Sequence, residues 1–168
     1  MKTKLFAFLL VVSLALPFAS QAATGEAEII VKTVSTFYKG YLKSLDTSDK
    51  KYSWREQSEV DPSFVRKIDV LIGEAQKSEP GFLGYDPILM AQDWPREEMG
   101  YATPVMKGDI AEIIVYKNWG GGHKNPLCVT LSKKDAQWRI TDIIDMDWFE
   151  GEKILECGGL KKAPKEKQ

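Results

Sequence analysis

The sequence predicts an α+β domain in which helices come first and an antiparallel sheet follows. Apolar residues recur every three or four positions through the first half of the 168-residue chain, the period at which a helix turns one face to a core. From about residue 102 the chain changes to short runs rich in β-branched and aromatic residues, which suit a pleated sheet. Turn-forming residues separate those runs too closely for crossover helices, so the strands pair as an antiparallel meander.

The first helix is expected from Glu26 to Leu45. Ala27, Ile30, Val34, Phe37, Tyr41 and Leu45 form its apolar stripe, and Lys32, Thr36, Lys39 and Lys43 lie on the other side. Gly40 leaves room for a close neighbour or a slight bend. Asp46 to Lys51 reads as a loop of turn-forming and charged residues. A second helix starts at Asp61-Pro62, where Asp61 can accept from an unpaired amide and proline suits the first helical position. Phe64, Ile68, Leu71, Ile72 and Ala75 make its buried face, and Gly73 with the run Ser78 to Gly81 closes it. The segment from Phe82 to Pro95 is too apolar for a solvated linker and is expected to pack over one end of the core. Strands are predicted at Ala102–Met106, Ile110–Asn118, Pro126–Ser132 and Gln137–Ile144, about four in all. Turns fall at Lys107–Asp109, Trp119–His123 and Lys133–Asp135.

The amino terminus reads as an export signal. Lys2 and Lys4 precede the apolar run Leu5 to Leu16, and Ser20 and Ala22 give a small-x-small site. The apolar run is shorter than the roughly 20 residues that span a bilayer, and Pro17 and Ser20-Gln21 interrupt it. Cleavage after Ala22 then leaves a mature protein with no membrane span, periplasmic or secreted. No cysteine follows the site, so lipid attachment there is not supported. The reading divides the chain into a signal peptide at 1–22, a single domain at 23–160 and a disordered basic tail at 161–168.

Loss of the signal takes the formal charge from −1 to −3, with 21 basic and 24 acidic residues left. That balance gives no footprint for nucleic acid, which needs a basic excess on one face. Cys128 and Cys157 are the only cysteines, and export places them where disulfides persist. A bridge between them would stabilise the fold by roughly 3 to 4 kcal/mol in the chain-entropy picture. A redox-active pair would show a Cys-x-x-Cys spacing, which is absent.

Catalytic motifs are sparse. His123 is the sole histidine, which excludes a multi-histidine metal site and leaves a triad only one ring to use. Gly120-Gly121-Gly122 lacks the lysine and following helix of a phosphate loop. Asp142, Asp145, Asp147, Glu150 and Glu152 do not match the spacing of a twelve-residue calcium loop, and a solvated charged face accounts for them. Neither metal nor cofactor is expected. Aromatic residues carry more weight: Tyr85, Trp94, Tyr101, Tyr116, Trp119, Trp138, Trp148 and Phe149 can pack a core or line a contact surface. Alternation puts Ile110, Glu112, Ile114 and Tyr116 on one sheet face and Ala111, Ile113, Val115 and Lys117 on the other. A buried Glu112 on a concave face would be a candidate acid or base; an exposed one is a surface charge.

The runs Phe37-Tyr-Lys-Gly-Tyr-Leu42, Tyr85-Asp-Pro-Ile-Leu-Met-Ala-Gln-Asp-Trp94 and Trp138-Arg-Ile-Thr-Asp-Ile-Ile-Asp145 resemble an uncharacterised domain family of small bacterial periplasmic proteins and lipoproteins, domain-of-unknown-function family 3828. The resemblance spans most of residues 27 to 145. Such domains are similar to the cone-shaped fold of the nuclear transport factor two superfamily. It implies helices closing over a curved antiparallel sheet and a cavity, and carries over no functional residues.

Three expectations follow. The first is a periplasmic binding protein without catalytic activity, acting on a small ligand or an envelope protein through the cavity mouth and Tyr85 to Trp94, with an immunity-type inhibitor as its specific form. Tyr85, Asp93, Trp94, Glu112 and Tyr116 are its candidate contacts. The second is a small isomerase, dehydratase or hydrolase using Glu112, Asp93 or Asp145 as a carboxylate base. The third is a structural part of an envelope assembly, in which a homodimer covers an exposed sheet face.

Overall fold

The computed structural model describes residues 18–47, 52–79, 81–95, 97–146 and Cys157. Two helices precede a curved, unclosed antiparallel sheet of five strands, which is the α+β class the patterns predict.

Helix α1 runs from Phe18 to Thr47, beyond the expected span at both ends. The proposed cleavage site after Ala22 lies within it. Asp46 and Thr47, expected in a loop, belong to its last turn, since capping and fraying blur such boundaries by a residue or two. Ile30, Val34, Phe37 and Tyr41 are buried as the stripe requires, and Tyr38 joins them fully enclosed. The Phe37 and Tyr38 rings meet edge to face at 5.2 Å, and Phe37 stacks with Tyr41 at 6.1 Å. Gly40 is required by a close approach: a Cβ there would lie 2.8 Å from the Tyr52 ring, whose hydroxyl donates to the Phe37 carbonyl at 3.3 Å.

Helix α2 spans Pro62–Lys77 and starts as predicted, with Asp61 accepting from the Ser63 amide at 2.8 Å. Phe64 and Ile68 are its fully packed residues. Leu71, Ile72 and Ala75 are half-buried.

The strands are β1 (Gly100–Tyr101), β2 (Val105–Lys107), β3 (Ile110–Asn118), β4 (Lys124–Lys134) and β5 (Gln137–Asp145). The first expected strand is thus two short ones, both paired with β3, with Ala102, Thr103 and Pro104 between them. Pro104 lacks the amide a ladder needs, which explains the break. The β3–β4 and β4–β5 ladders are antiparallel, and an irregularity opposite Thr130/Leu131 leaves Thr141 as the extra residue of β5. Residues 59–61 add a short parallel pairing to β5: Ile140 donates to the Glu59 carbonyl at 2.7 Å, and Asp61 donates to the Ile140 carbonyl at 2.9 Å. Three consecutive glycines with positive φ, Gly120, Gly121 and Gly122, form the β3–β4 turn, a conformation that other residues adopt only at a cost.

The helices cover one face of the sheet. Ala111, Ile113 and Val115 of β3, Leu127, Val129 and Leu131 of β4, and Trp138, Ile140 and Ile143 of β5 point into that core. On the opposite face Cys128, joined to Cys157 with Cα atoms 5.4 Å apart, gathers Met146 and Ile114 into a second small cluster. The disulfide therefore fastens the chain at Cys157 to the face that the helices leave uncovered. The expected tail, the signal before residue 18, and Asp147, Trp148, Phe149, Glu150 and Glu152 lie outside the described residues.

Candidate functional site

Residues 82–95 form a compact loop braced from within. The Asp86 amide donates to the Ala91 carbonyl at 2.8 Å, which closes the loop on itself. Asp86 Oδ1 accepts from the amides of Ile88 and Leu89 at 2.8 and 2.9 Å. This local carboxylate-to-backbone pattern is why aspartate favours tight turns. Ile88 and Leu89 are fully buried and plug the loop into the main core. Met90 takes φ of 49° at the turn.

Helix α1 holds the loop from below. Tyr41 donates its hydroxyl to Asp86 Oδ2, and Tyr38 donates to the Ile88 carbonyl at 3.4 Å. Burial, with the nearby Asp86 carboxylate, pushes the Tyr41 phenol far above its ordinary value. Burial also raises Tyr38, with contributions from Tyr101 and Asp86. Tyr101, half-buried on β1 near Glu98, is pushed up to about 12. These phenols stay protonated across the physiological range and act as donors, never as bases. Asp86 has both oxygens committed to donors, so its role is to position the loop.

What the braced loop shows to solvent is aromatic. Phe82, Tyr85 and Trp94 are 62%, 39% and 52% exposed, on a segment whose Ile88 and Leu89 are buried completely. Asp93 is exposed beside Trp94. A groove of about 530 Å³ runs between Trp94 and Pro95 of the loop and Leu42, Lys43 and Asp46 in the last turns of α1. A second groove, about 500 Å³, lies between the first half of α1 and the β1–β2 connection, with Val31, Tyr101 and Pro104 among its walls.

The structure does not bring all five candidate contacts together. Tyr85, Asp93 and Trp94 share the loop on the helix side. Glu112 and Tyr116 are on the sheet face turned away from α1, as their alternation with the buried Ala111, Ile113, Val115 and Lys117 demands. Glu112 is therefore not directed into the helix-covered face; it lies 3.7 Å from the Lys107 ammonium across the β2–β3 pair. Tyr116 packs over Gly100, where a Cβ would stand 3.5 Å from the Tyr116 Cβ. Of the three carboxylates considered as bases, only Asp145 is near the helix-covered face, 3.5 Å from the fully buried Lys117. His123 is exposed in the glycine turn. Asp142 takes the Lys67 ammonium at 2.5 Å. Among the described residues no three histidine, cysteine or carboxylate side chains are grouped so as to hold a metal ion.

Asp86 and Tyr38 carry no signal in the local pattern that singles them out. A second aspartate-anchored device was half legible. Asp61, read as a helix cap, also takes the Lys134 ammonium on Oδ2 at 2.8 Å. Burial alone would raise its pKa, but Lys134 and the Ser63 hydroxyl and amide outweigh that and hold it at about 2. Lys133 next to it pairs with Glu26 of α1 and lies 5.7 Å over the Trp138 ring.

No model of a known protein family matches the chain, and no curated protein matches it. Among solved structures, a chain in the crystal structure of the type VI native effector-immunity complex Tae3–Tai3 from Ralstonia pickettii is similar at 17% identity, with a TM-score of 0.49 over 71% of this chain and 96% of that one. The selenomethionine form of the same complex gives 18% identity and a TM-score of 0.46, over 71% and 97% of the two chains.

Proposed function

We propose that this chain is an exported binding protein of the immunity type, which blocks an envelope-acting toxin through the surface of residues 82–94. The observation that carries the reading is the contrast inside that loop: Ile88 and Leu89 are locked in the core while Phe82, Tyr85 and Trp94 face solvent. Large aromatic groups on a pre-ordered backbone are what protein recognition favours, because they contribute wide contact area and little further ordering is needed on binding. The Cys128–Cys157 pair supports placement in an oxidising compartment. On the same reading the chain falls with the uncharacterised periplasmic domain family whose motifs it resembles.

Capture from an envelope extract tests this. The wild-type protein is expected to retain an envelope-acting enzyme, and Trp94→Ala or Tyr85→Ala to weaken retention by at least tenfold, the loss of about 1.4 kcal/mol or more typical of a central aromatic contact. Retention of the same partner at equal strength by both variants would remove this surface from the account.

A further inference from the structure

Trp138 is 4% exposed, and its indole N–H meets no acceptor among the described residues. A buried indole usually finds a hydrogen-bond partner, and a donor left without one carries the full cost of its desolvation. The same side chain is a wall of a cleft of about 210 Å³ between α1, residues 58–59 and the β4–β5 turn. No wall of this cleft belongs to residues 82–94. Two other walls supply acceptors. The Glu59 carboxylate takes one hydrogen bond among the described residues, from the Ser58 hydroxyl at 3.2 Å, and keeps lone pairs for a guest. Thr33 commits its hydroxyl proton to the Ile29 carbonyl at 2.9 Å, so it too offers only lone pairs elsewhere. Glu59 is the one charged residue among the described walls. Lys133 lies 5.7 Å over the Trp138 ring but is not a wall, and Glu26 of α1 answers its charge.

We infer that this cleft receives a carboxamide side chain, asparagine or glutamine, of a protein partner. An indole N–H needs an acceptor, and Glu59 and Thr33 need donors. A carboxamide carries a carbonyl and an NH2 on neighbouring atoms and meets both demands while remaining neutral. A carboxylate guest would face Glu59 with like charge, and an ammonium or guanidinium would satisfy Glu59 but bring nothing for the indole to donate to. A single hydroxyl oxygen would have to serve both sides from one point. Clefts that bury a free ligand hold roughly 300 to 1,000 Å³, so this smaller one suits a group carried on a larger body. The indole nitrogen is closed to solvent in this conformation, and the guest reaches it when a wall side chain changes rotamer. Ile29 and Gln137, both exposed walls, have room to do so.

The test uses the purified full chain and N-acetyl-glutamine methylamide as probe, with the isosteric N-acetyl-glutamate methylamide as control. The readouts are the Trp138 indole N–H resonance and the backbone amides of Thr33 and Gln137. The glutamine probe is expected to shift them saturably in the millimolar range, and the glutamate probe to leave them unmoved, because a site built around fixed donors and acceptors rejects an analogue that mismatches them. Trp138→Phe keeps the ring and removes the donor, and should weaken the response at the two amides roughly fivefold to tenfold, the scale of one hydrogen bond. Glu59→Gln removes the charge that repels an anion and should narrow the difference between the probes. Trp94→Ala, on the separate loop, should respond as the wild type does. No shift with the glutamine probe, which leaves the indole N–H to solvent alone, would overturn the inference. So would an equal response to glutamate, or a Trp138→Phe response as strong as the wild type's. Undiminished discrimination in Glu59→Gln would overturn it without any need for Trp138→Phe to fold, and a response lost in Trp94→Ala would move the effect to the loop.

Discussion

Asp61 and Asp86 are built alike and closed differently. Each gives Oδ1 to donors just ahead of it in the chain, Ser63 for Asp61, and Ile88 and Leu89 for Asp86. Each gives Oδ2 to one distant donor. For Asp61 that donor is the Lys134 ammonium, 73 residues away; for Asp86 it is the neutral Tyr41 phenol, 45 residues away. An ion pair on a buried carboxylate binds more strongly than a neutral hydrogen bond and leaves a larger penalty when broken. The Asp61 device therefore ties α2 and the segment before it to the β4–β5 hairpin as part of the global fold. The Asp86 device holds a surface loop, which can open without unfolding the rest.

The largest expected effect lies on the first of these. Asp61→Ala removes a helix cap and strands Lys134, and should lower unfolding free energy by about 2 to 3 kcal/mol in urea titration. The same group sets an acid limit. Its folded pKa of about 2 lies below its ordinary value of 3.8. Its contribution is accordingly complete above about pH 5 and is lost progressively as pH falls through 3.8 to below 2, about 2 kcal/mol in all. A urea midpoint that Asp61→Ala leaves unchanged, or a variant with the same acid profile as the wild type, would break the contrast.

Asp86→Ala should cost less, about 1 to 2 kcal/mol, and the loss should be local. Tyr41→Phe removes only the distant donor and should cost about 1 kcal/mol. Circular dichroism melts of the two variants against Asp61→Ala rank the devices. If Asp86→Ala proves the more damaging globally, the two anchors have been assigned the wrong way round.

The smallest effect sharpens the Asp61 side. The β4–β5 turn places Asp135 and Ala136 at φ of 50° and 60°, a type of turn in which glycine is the favoured second residue. Ala136→Gly should raise stability by about 0.5 kcal/mol, read as a small increase in melting temperature.

Local chemistry made much of this legible in advance. The spacing Ile30, Val34, Phe37, Tyr41 located α1, and Asp61-Pro62 fixed the start of α2. Alternation put Glu112 and Lys117 on opposite faces of β3, and turn residues placed the strands to within a few positions. Where the reading fell short, the cause is pairing between distant segments. Tyr38 lies one residue off the ideal stripe and is buried in the core that Ile88 and Leu89 join, its hydroxyl donating to the Ile88 carbonyl. Asp86 sits in a run where Asp93 looks equally suitable; only the fold shows that Tyr41 selects one and leaves the other in water. Lys134 reads as a turn residue until Asp61 is seen across from it. Tyr85 and Trp94 were picked out as large aromatics, but that they stay exposed while Ile88 and Leu89 of the same loop enter the core is visible only in the fold.

Native-state hydrogen exchange at Ile88 and Leu89 addresses the central claim, a recognition loop held in shape by Asp86, most directly. Both amides should be protected in the wild-type protein and exchange at least tenfold faster in Asp86→Ala, while the amides of Phe64 to Ile68 in α2 keep their protection. Unprotected Ile88 and Leu89 amides in the wild type, or acceleration shared equally by α2, would contradict it.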